Sequence, residues 1–102
     1  MTTFGETIKQ LRLDKNLPQR KVAALLDIDT SILSKYEKNV RQPSEELIER
    51  IAKIFNVDSQ ILKFEAVTDK IANQFIEQNV DSKTLRVAEN KAEYIKLRKK
   101  TS

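Results

Sequence analysis

The sequence predicts an all-α fold, and three observations support this prediction. Phe4, Ile8 and Leu11 recur at i, i+4 and i+7, which places them on one face of a helix. Residues 17–39 divide into two short helices separated by a tight turn, and residues 64–95 carry further apolar stripes at helical spacing. The 102 residues are 39% hydrophobic, which is enough for a single small core.

The two short helices are the most informative part of the chain. In the first of them Val22, Ala23 and Leu26 face the core, and Ala23 is small where two helices must cross closely. The turn that follows supplies Ile28 as a buried residue. Asp29 is expected to cap the next helix, because its carboxylate can accept from backbone N–H groups.

The helix after the turn runs from about Thr30 to Lys38, with Leu33 and Tyr36 facing inward. Its outward residues near the N-terminal half are all polar: Thr30, Ser31, Ser34 and Lys35. Two short helices at a tight turn, the second with a polar outer face, predict a helix-turn-helix that presents this face to the major groove of DNA.

The order and spacing of the helices resemble a known family, the phage repressor and Cro class (XRE-like) of helix-turn-helix regulators. The resemblance covers residues 4–62, more than half of the chain. It rests on five segments: FGETIKQLRLDKNL, PQRKVAALL, DTSILSKYEKN, QPSEELIERIAKIFNVD and SQIL. It implies a five-helix repressor-like domain, which we place at residues 1–64.

The resemblance also implies residue roles. Four residues would read DNA bases: Thr30, Ser31, Ser34 and Lys35. Five would meet phosphates: Gln19, Arg20, Lys38, Asn39 and Arg41. Arg12 and Glu37 occupy the positions of a partly buried ion pair that fixes the recognition helix, although either could be an ordinary surface charge when considered without the family.

The chain departs from the family at its helix ends, where the family usually carries glycine. Gly5 is the one glycine of the chain, and the helix ends are Asn16, Asp27, Asn39 and Asn56. Asn and Asp tolerate the left-handed conformation best among the other residues, so we expect the backbone path to be retained. Pro18 replaces the usual Ser or Thr cap, so one side-chain cap is expected to be lost.

The fourth helix begins after Pro43, with Ser44 as its predicted cap and two glutamates in its first turn. Its predicted buried stripe comprises Leu47, Ile51, Ala52 and Phe55. Beyond it, residues 59–79 form one long helix or two, with an apolar stripe of Phe64, Val67, Ile71 and Phe75.

Residues 65–102 are predicted to be a C-terminal helical extension. Asp81 or Ser82 would cap a final helix that runs to about Lys99, lined on one face by Leu85, Ala88, Ala92 and Ile95. Such a stripe needs a partner surface, either in its own domain or on a second subunit. We favour the second subunit, and hence a dimerisation arm, because these domains usually bind DNA as two-fold dimers.

Composition limits the chemistry of the chain. It has no cysteine and no histidine, so no metal site of the zinc-finger kind, no thiol nucleophile and no Ser-His-Asp triad can form. We expect no enzyme, no cofactor and no small-molecule ligand. Without a signal peptide or spanning segment, a soluble, cytoplasmic and nucleoid-associated protein is expected, with no membrane partner.

The positive charge is concentrated near the predicted helix-turn-helix. Residues 9–41 carry eight basic and four acidic side chains, an excess equal to the net charge of +4 for the whole chain. The leading hypothesis is a sequence-specific regulator of transcription that binds double-stranded DNA, a homodimeric repressor at a palindromic operator, with a restriction-modification controller as one subtype. The alternative is an antitoxin-like or assembly protein whose helix-turn-helix serves mainly in protein interaction.

Overall fold

A computed structural model describes residues 1–101, with side chains for residues 1–100. Six helices occur: α1 (Phe4–Asp14), α2 (Gln19–Leu26), α3 (Thr30–Glu37), α4 (Glu45–Phe55), α5 (Ser59–Gln78) and α6 (Ser82–Thr101). No strand is present in this range, which confirms the all-α prediction. The internal contacts divide the chain into a unit of residues 1–70 and a second unit from Ile71 onward.

The helix ends follow the predicted chemistry. Asn16, Asp27, Asn39 and Asn56 all adopt the left-handed conformation, with φ between 53° and 59°. Asn79, in the predicted break, does so as well, with φ of 52°. Because Asn and Asp tolerate this region, each helix ends and the chain turns without glycine.

Of three predictions about side-chain caps at helix starts, two are confirmed and one is wrong. Ser44 Oγ accepts from Leu47 N at 3.1 Å, and Pro18 provides no side-chain cap for α2. Asp29 precedes α3 as predicted, but its carboxylate caps no amide. The N–H group of Ile32 instead bonds to the backbone carbonyl of Asp29 at 3.0 Å, so this amide is already satisfied.

The core of residues 1–70 is built from α1 to α4 and the first half of α5. The predicted inward residues of α2, α3 and α4 are buried, and α4 adds Ile48, which its sequence pattern did not single out. Leu11, Leu17, Ile28 and Ile32 pack against this core while partly exposed. Burial of these side chains supplies the main stabilising term for a domain of this size.

α5 is one continuous helix with two apolar faces. Leu62 and Ala66 are buried in the core. The predicted stripe lies on the opposite side of the helix, where Phe64, Val67 and Ile71 are 69%, 55% and 44% exposed. Apolar residues on both sides are typical of a helix that is buried on both sides. In the single chain, this outer stripe is therefore an apolar surface without a partner.

The second unit contains the end of α5, a short turn and α6. Asp81, not Ser82, caps α6, because its Oδ1 accepts from Thr84 N at 2.8 Å. Phe75, Val80 and Leu85 line a groove of about 240 Å³ between the two helices. Of the four predicted α6 stripe residues, Leu85 is half-buried and Ala88, Ala92 and Ile95 are exposed.

Candidate DNA interface

The outer face of α3 is polar and open to solvent. Thr30, Ser31 and Lys35 are exposed, and Ser34 is half-buried beside them. The inner face of the same helix carries Leu33 and Tyr36, both buried. This division follows from the sequence, since the two sets alternate at helical spacing. Two turns of α3 therefore present hydroxyl groups and one ammonium group outward.

Glu37 at the end of α3 fixes this helix to the two helices before it. Arg12 of α1 donates to it through two nitrogens, Nε to Oε2 at 2.7 Å and Nη2 to Oε1 at 3.0 Å. Gln19 at the start of α2 donates its Nε2 to Oε1 at 2.9 Å. Arg12 and Glu37 are each only 7% exposed. A bidentate charged pair of this kind fixes orientation as well as distance.

The third nitrogen of the Arg12 guanidinium also has a partner. Its Nη1 bonds to the carbonyl of Leu17 at 2.9 Å, so the guanidinium also holds the turn between α1 and α2. The hydrogen bond that Arg12 donates to the Glu37 carboxylate raises the pKa of Arg12 above its already high ordinary value. The Arg12 guanidinium is therefore charged at any physiological pH, and the three helices of the motif are joined at one buried point.

The five predicted phosphate-binding residues fall into two groups. Arg20, Lys38 and Arg41 are exposed, and the guanidinium of Arg41 lies over the ring of Tyr36 at 5.8 Å from its centroid. Gln19 and Asn39 are half-buried and have internal partners. Gln19 bonds to Glu37, as described, and Asn39 Oδ1 accepts from Gly5 N at 2.8 Å. The sequence reasoning missed both contacts, because partners 18 and 34 residues apart leave no local pattern.

The basic residues near α3 are not neutralised by acidic neighbours. Among the described side chains, Arg20, Lys35 and Lys38 form no ion pair, unlike Arg12 with Glu37 and Lys63 with Glu49. Their charges are available to a polyanion, whose phosphates contribute most of the affinity in protein–DNA binding.

Two other classes of site are absent from residues 1–101. No three His, Cys, Asp or Glu side chains are grouped as a metal ion would require. None of the helices there combines the length and apolar character needed to cross a bilayer.

Comparison with known proteins agrees with this geometry. The family HTH_3, described as helix-turn-helix, matches residues 8–62. A curated relative, the HTH-type transcriptional activator BcrR of Enterococcus faecalis, is 37% identical over 54 residues. That match covers 53% of this chain but only 26% of BcrR, so the chain spans about a quarter of the relative it resembles.

A solved structure, that of the SinR protein/SinI protein complex, is similar over 92% of this chain and 98% of the compared chain, with a TM-score of 0.54 and 22% sequence identity. At that identity the likeness concerns the fold alone, and it extends beyond the helix-turn-helix into the C-terminal helices. With more than half of its residues matched by the family and the predicted helix order observed, the chain belongs to the phage repressor and Cro-type (XRE) family of helix-turn-helix transcriptional regulators.

Proposed function

We propose that this protein is a regulator of transcription that binds double-stranded DNA at specific sequences. One observation supports this most strongly: the polar outer face of α3 is exposed, while its last residue, Glu37, is held by buried hydrogen bonds from α1 and α2. A recognition surface must be held rigidly to discriminate between base pairs. The basic side chains on either side add the attraction to phosphates that any such protein needs.

In this proposal base reading falls to Thr30, Ser31, Ser34 and Lys35. Lysine can donate to the O6 and N7 atoms of guanine, and the hydroxyls of Thr and Ser can bond to several bases. Arg20, Lys38 and Arg41 bind phosphates through their charges. Gln19 and Asn39 bind phosphates through the side-chain polar atoms that are not engaged in their internal hydrogen bonds.

The regulator acts as a homodimer on a palindromic operator. Residues 65–102 form the dimerisation arm, with Leu85, Ala88, Ala92 and Ile95 of α6 at the contact. The exposure of three of these four residues in the single chain supports this assignment. A two-fold dimer places two recognition helices about one DNA turn apart. Occupancy of an operator that overlaps a promoter blocks polymerase, so we propose repression as the mode of action.

The test is selection of bound fragments from random DNA, followed by titration of the enriched duplex and of a scrambled duplex of the same composition. We expect enrichment of a palindrome with half-sites one turn apart, and at least about a thousandfold preference for it over the scrambled duplex. Equal binding to both duplexes, or no binding to either, would contradict the proposal.

A second function, protein interaction, is favoured by the outer stripe of α5. Phe64, Val67 and Ile71 expose their side chains on the side opposite the core, and exposed apolar surface of this kind marks interaction sites. An antitoxin-like or assembly protein would use this surface and bind DNA secondarily. Purification from the native host with analysis of bound nucleic acid and protein separates the two: a stoichiometric second protein without DNA favours this function.

A further inference from the structure

The first turn of α1 is a junction between three helices. An α-helix leaves its first backbone N–H groups without partners inside the helix. In α1 the capping box satisfies two of them, because Glu6 Oε1 accepts from Thr3 N at 3.1 Å and Thr3 Oγ1 accepts from Glu6 N at 3.2 Å. The two amides between them, of Phe4 and Gly5, bond to other parts of the domain.

These two amides donate hydrogen bonds to two different parts of the domain. Phe4 N donates to Asp69 Oδ2 of α5 at 2.8 Å. Gly5 N donates to Asn39 Oδ1, just beyond the end of α3, also at 2.8 Å. Consecutive peptide groups of one helical turn therefore connect α5 to the segment that follows the recognition helix. Because the turn is a rigid hydrogen-bonded unit, displacement of one partner is transmitted to the other.

The contact with the end of α3 is also close in space. A Cβ atom added to Gly5 would lie 2.5 Å from the carbonyl oxygen of Glu37 and 2.6 Å from Asn39 Oδ1, and it would also strike the carbonyl oxygen of Tyr36. The positive end of the α1 dipole thus lies against the negative end of the α3 dipole, which is a favourable arrangement.

Asp69 supplies charge as well as a hydrogen-bond acceptor. Its carboxylate lies at the N-terminus of α1, where a negative charge is stabilising. One turn earlier on α5, Glu65 accepts a hydrogen bond from the Thr7 hydroxyl. Two carboxylates four residues apart on a helix repel each other, and here both are directed at donors of α1. This arrangement favours a fixed placement of α1 on α5.

We propose that Asp69 is a positioning residue for DNA binding, acting through the first turn of α1 on the segment of residues 38–41. This inference rests on the proposed function, because that segment carries Lys38, Asn39 and Arg41. Loss of the Asp69 carboxylate releases the Phe4 amide, lets the first turn of α1 shift, and moves Asn39 together with the two basic residues beside it away from the phosphates.

The experiment compares the parent chain of 102 residues with Asp69→Ala, Asp69→Asn and Ile51→Val on the selected duplex at several salt concentrations. Asn retains an oxygen that can accept from Phe4 N, whereas Ala does not. Ile51→Val removes a buried methylene from α4 and controls for lost stability. Amide hydrogen exchange of residues 38–41 without DNA gives a second measurement that does not depend on the duplex.

For Asp69→Ala we expect about tenfold weaker binding and a salt slope reduced by about 1 for each half-site. Combination with Arg41→Ala should cost less than the sum of the two single changes, since both act on the same contact. Exchange at residues 38–41 should be faster. Asp69→Asn should recover most of the affinity, and Ile51→Val should leave the salt slope unchanged.

Parent-like affinity, salt slope and amide exchange in Asp69→Ala would overturn the inference and leave the proposed function intact. An equal loss in Ile51→Val would reduce Asp69 to a general stabilising residue and would also overturn it. Failure of the parent protein itself to bind any duplex is a separate observation, and it would contradict the proposed function together with this inference.

Discussion

At the scale of single residues, burial rather than distance separates the Arg12–Glu37 ion pair from the Lys63–Glu49 ion pair. The Arg12–Glu37 pair spans 2.7 Å and is buried, whereas the Lys63–Glu49 pair spans 2.6 Å with both side chains partly in water. The hydrogen bond from Lys63 lowers the pKa of Glu49, but water screens that exposed interaction. Glu37 is shielded from water by burial. The stability of the domain therefore depends on the partners that compensate the charge of Glu37.

Removal of one member of the buried pair should therefore destabilise the domain strongly. We expect Arg12→Ala and Glu37→Ala each to lower the free energy of unfolding by about 3 to 5 kcal/mol, because each leaves an uncompensated buried charge. Urea denaturation measures the change. The matched control is Glu49→Ala in the exposed pair, for which we expect a far smaller loss. A loss in Glu37→Ala no larger than in this control would be inconsistent with the network described.

Gly5 is the second residue for which the structure gives a definite expectation. In an ordinary helix interior, alanine is more favourable than glycine by about 1 kcal/mol. Here a Cβ would strike backbone carbonyls at the end of α3, which cannot move as a flexible side chain would. Gly5→Ala should thus lower stability in urea denaturation, with Ala24→Gly on the exposed side of α2 as a control for the propensity effect alone. A more stable Gly5→Ala variant would show that α1 and α3 lie farther apart.

At the scale of helices, side chains at the ends decide where each element begins and stops. Left-handed Asn and Asp residues end the first five helices or occupy the turns after them, in place of glycine. α6 depends most on its cap, because none of its described side chains is buried. An isolated helix of this length is marginal in water, and most helical stability comes from packing.

Asp81 should control how much of α6 is formed. The hydrogen bond from Thr84 N lowers the pKa of Asp81 below its ordinary value. A group with a lowered folded-state pKa stabilises the folded form above its unfolded pKa, and this contribution disappears as the pH falls through the folded value. We expect Asp81→Ala to lose helical signal in far-UV circular dichroism at neutral pH and to respond less to acidification. Asp81→Asn, an equally good cap at neutral pH, should retain the signal, and equal helicity in all three proteins would refute the role of this cap.

At the scale of the whole molecule, the parts that the sequence could predict are those with a local pattern. Helical spacing predicts the buried stripes of α1 to α4, and the chemistry of Asn and Asp predicts the helix ends. Arg12 and Glu37, which lie 25 residues apart, were matched only through the family resemblance. Spacing alone would have left them as surface charges.

The contacts that could not be predicted are long-range and made by ordinary polar residues. Asp69 and Phe4 are 65 residues apart, and an aspartate on a helix surface resembles any solvated charge until the fold brings a free amide to it. The prediction for Asp29 was wrong for a different reason. Its position favours a side-chain cap, but the Ile32 amide bonds to the backbone carbonyl of Asp29 instead. Local preference is a weak guide wherever a tertiary or backbone partner competes.

The proposed dimer concerns the whole chain and can be tested by removing or altering α6. Truncation after Asn79 should leave a folded monomer that binds a full palindrome about a hundredfold or more weaker, because the linked second half-site is lost. Ile95→Glu in the full chain should have the same effect, and Asn90→Glu on the opposite side of α6 should not. Sedimentation measures the oligomeric state. A dimer that survives both the truncation and Ile95→Glu would move the interface to another surface, such as the outer stripe of α5.

The central claim, that α3 reads bases while the segment after it binds phosphates, is tested most directly by comparing Lys35→Ala with Arg41→Ala. Binding of each variant is measured on the selected and the scrambled duplex across a salt series. Lys35→Ala should cost about 1 to 3 kcal/mol on the selected site and abolish discrimination at one base pair in each half-site. Arg41→Ala should weaken both duplexes alike and reduce the salt slope by about 2 for a dimer. Unchanged affinity and base preference in Lys35→Ala would contradict the proposed recognition surface and favour the protein-interaction function.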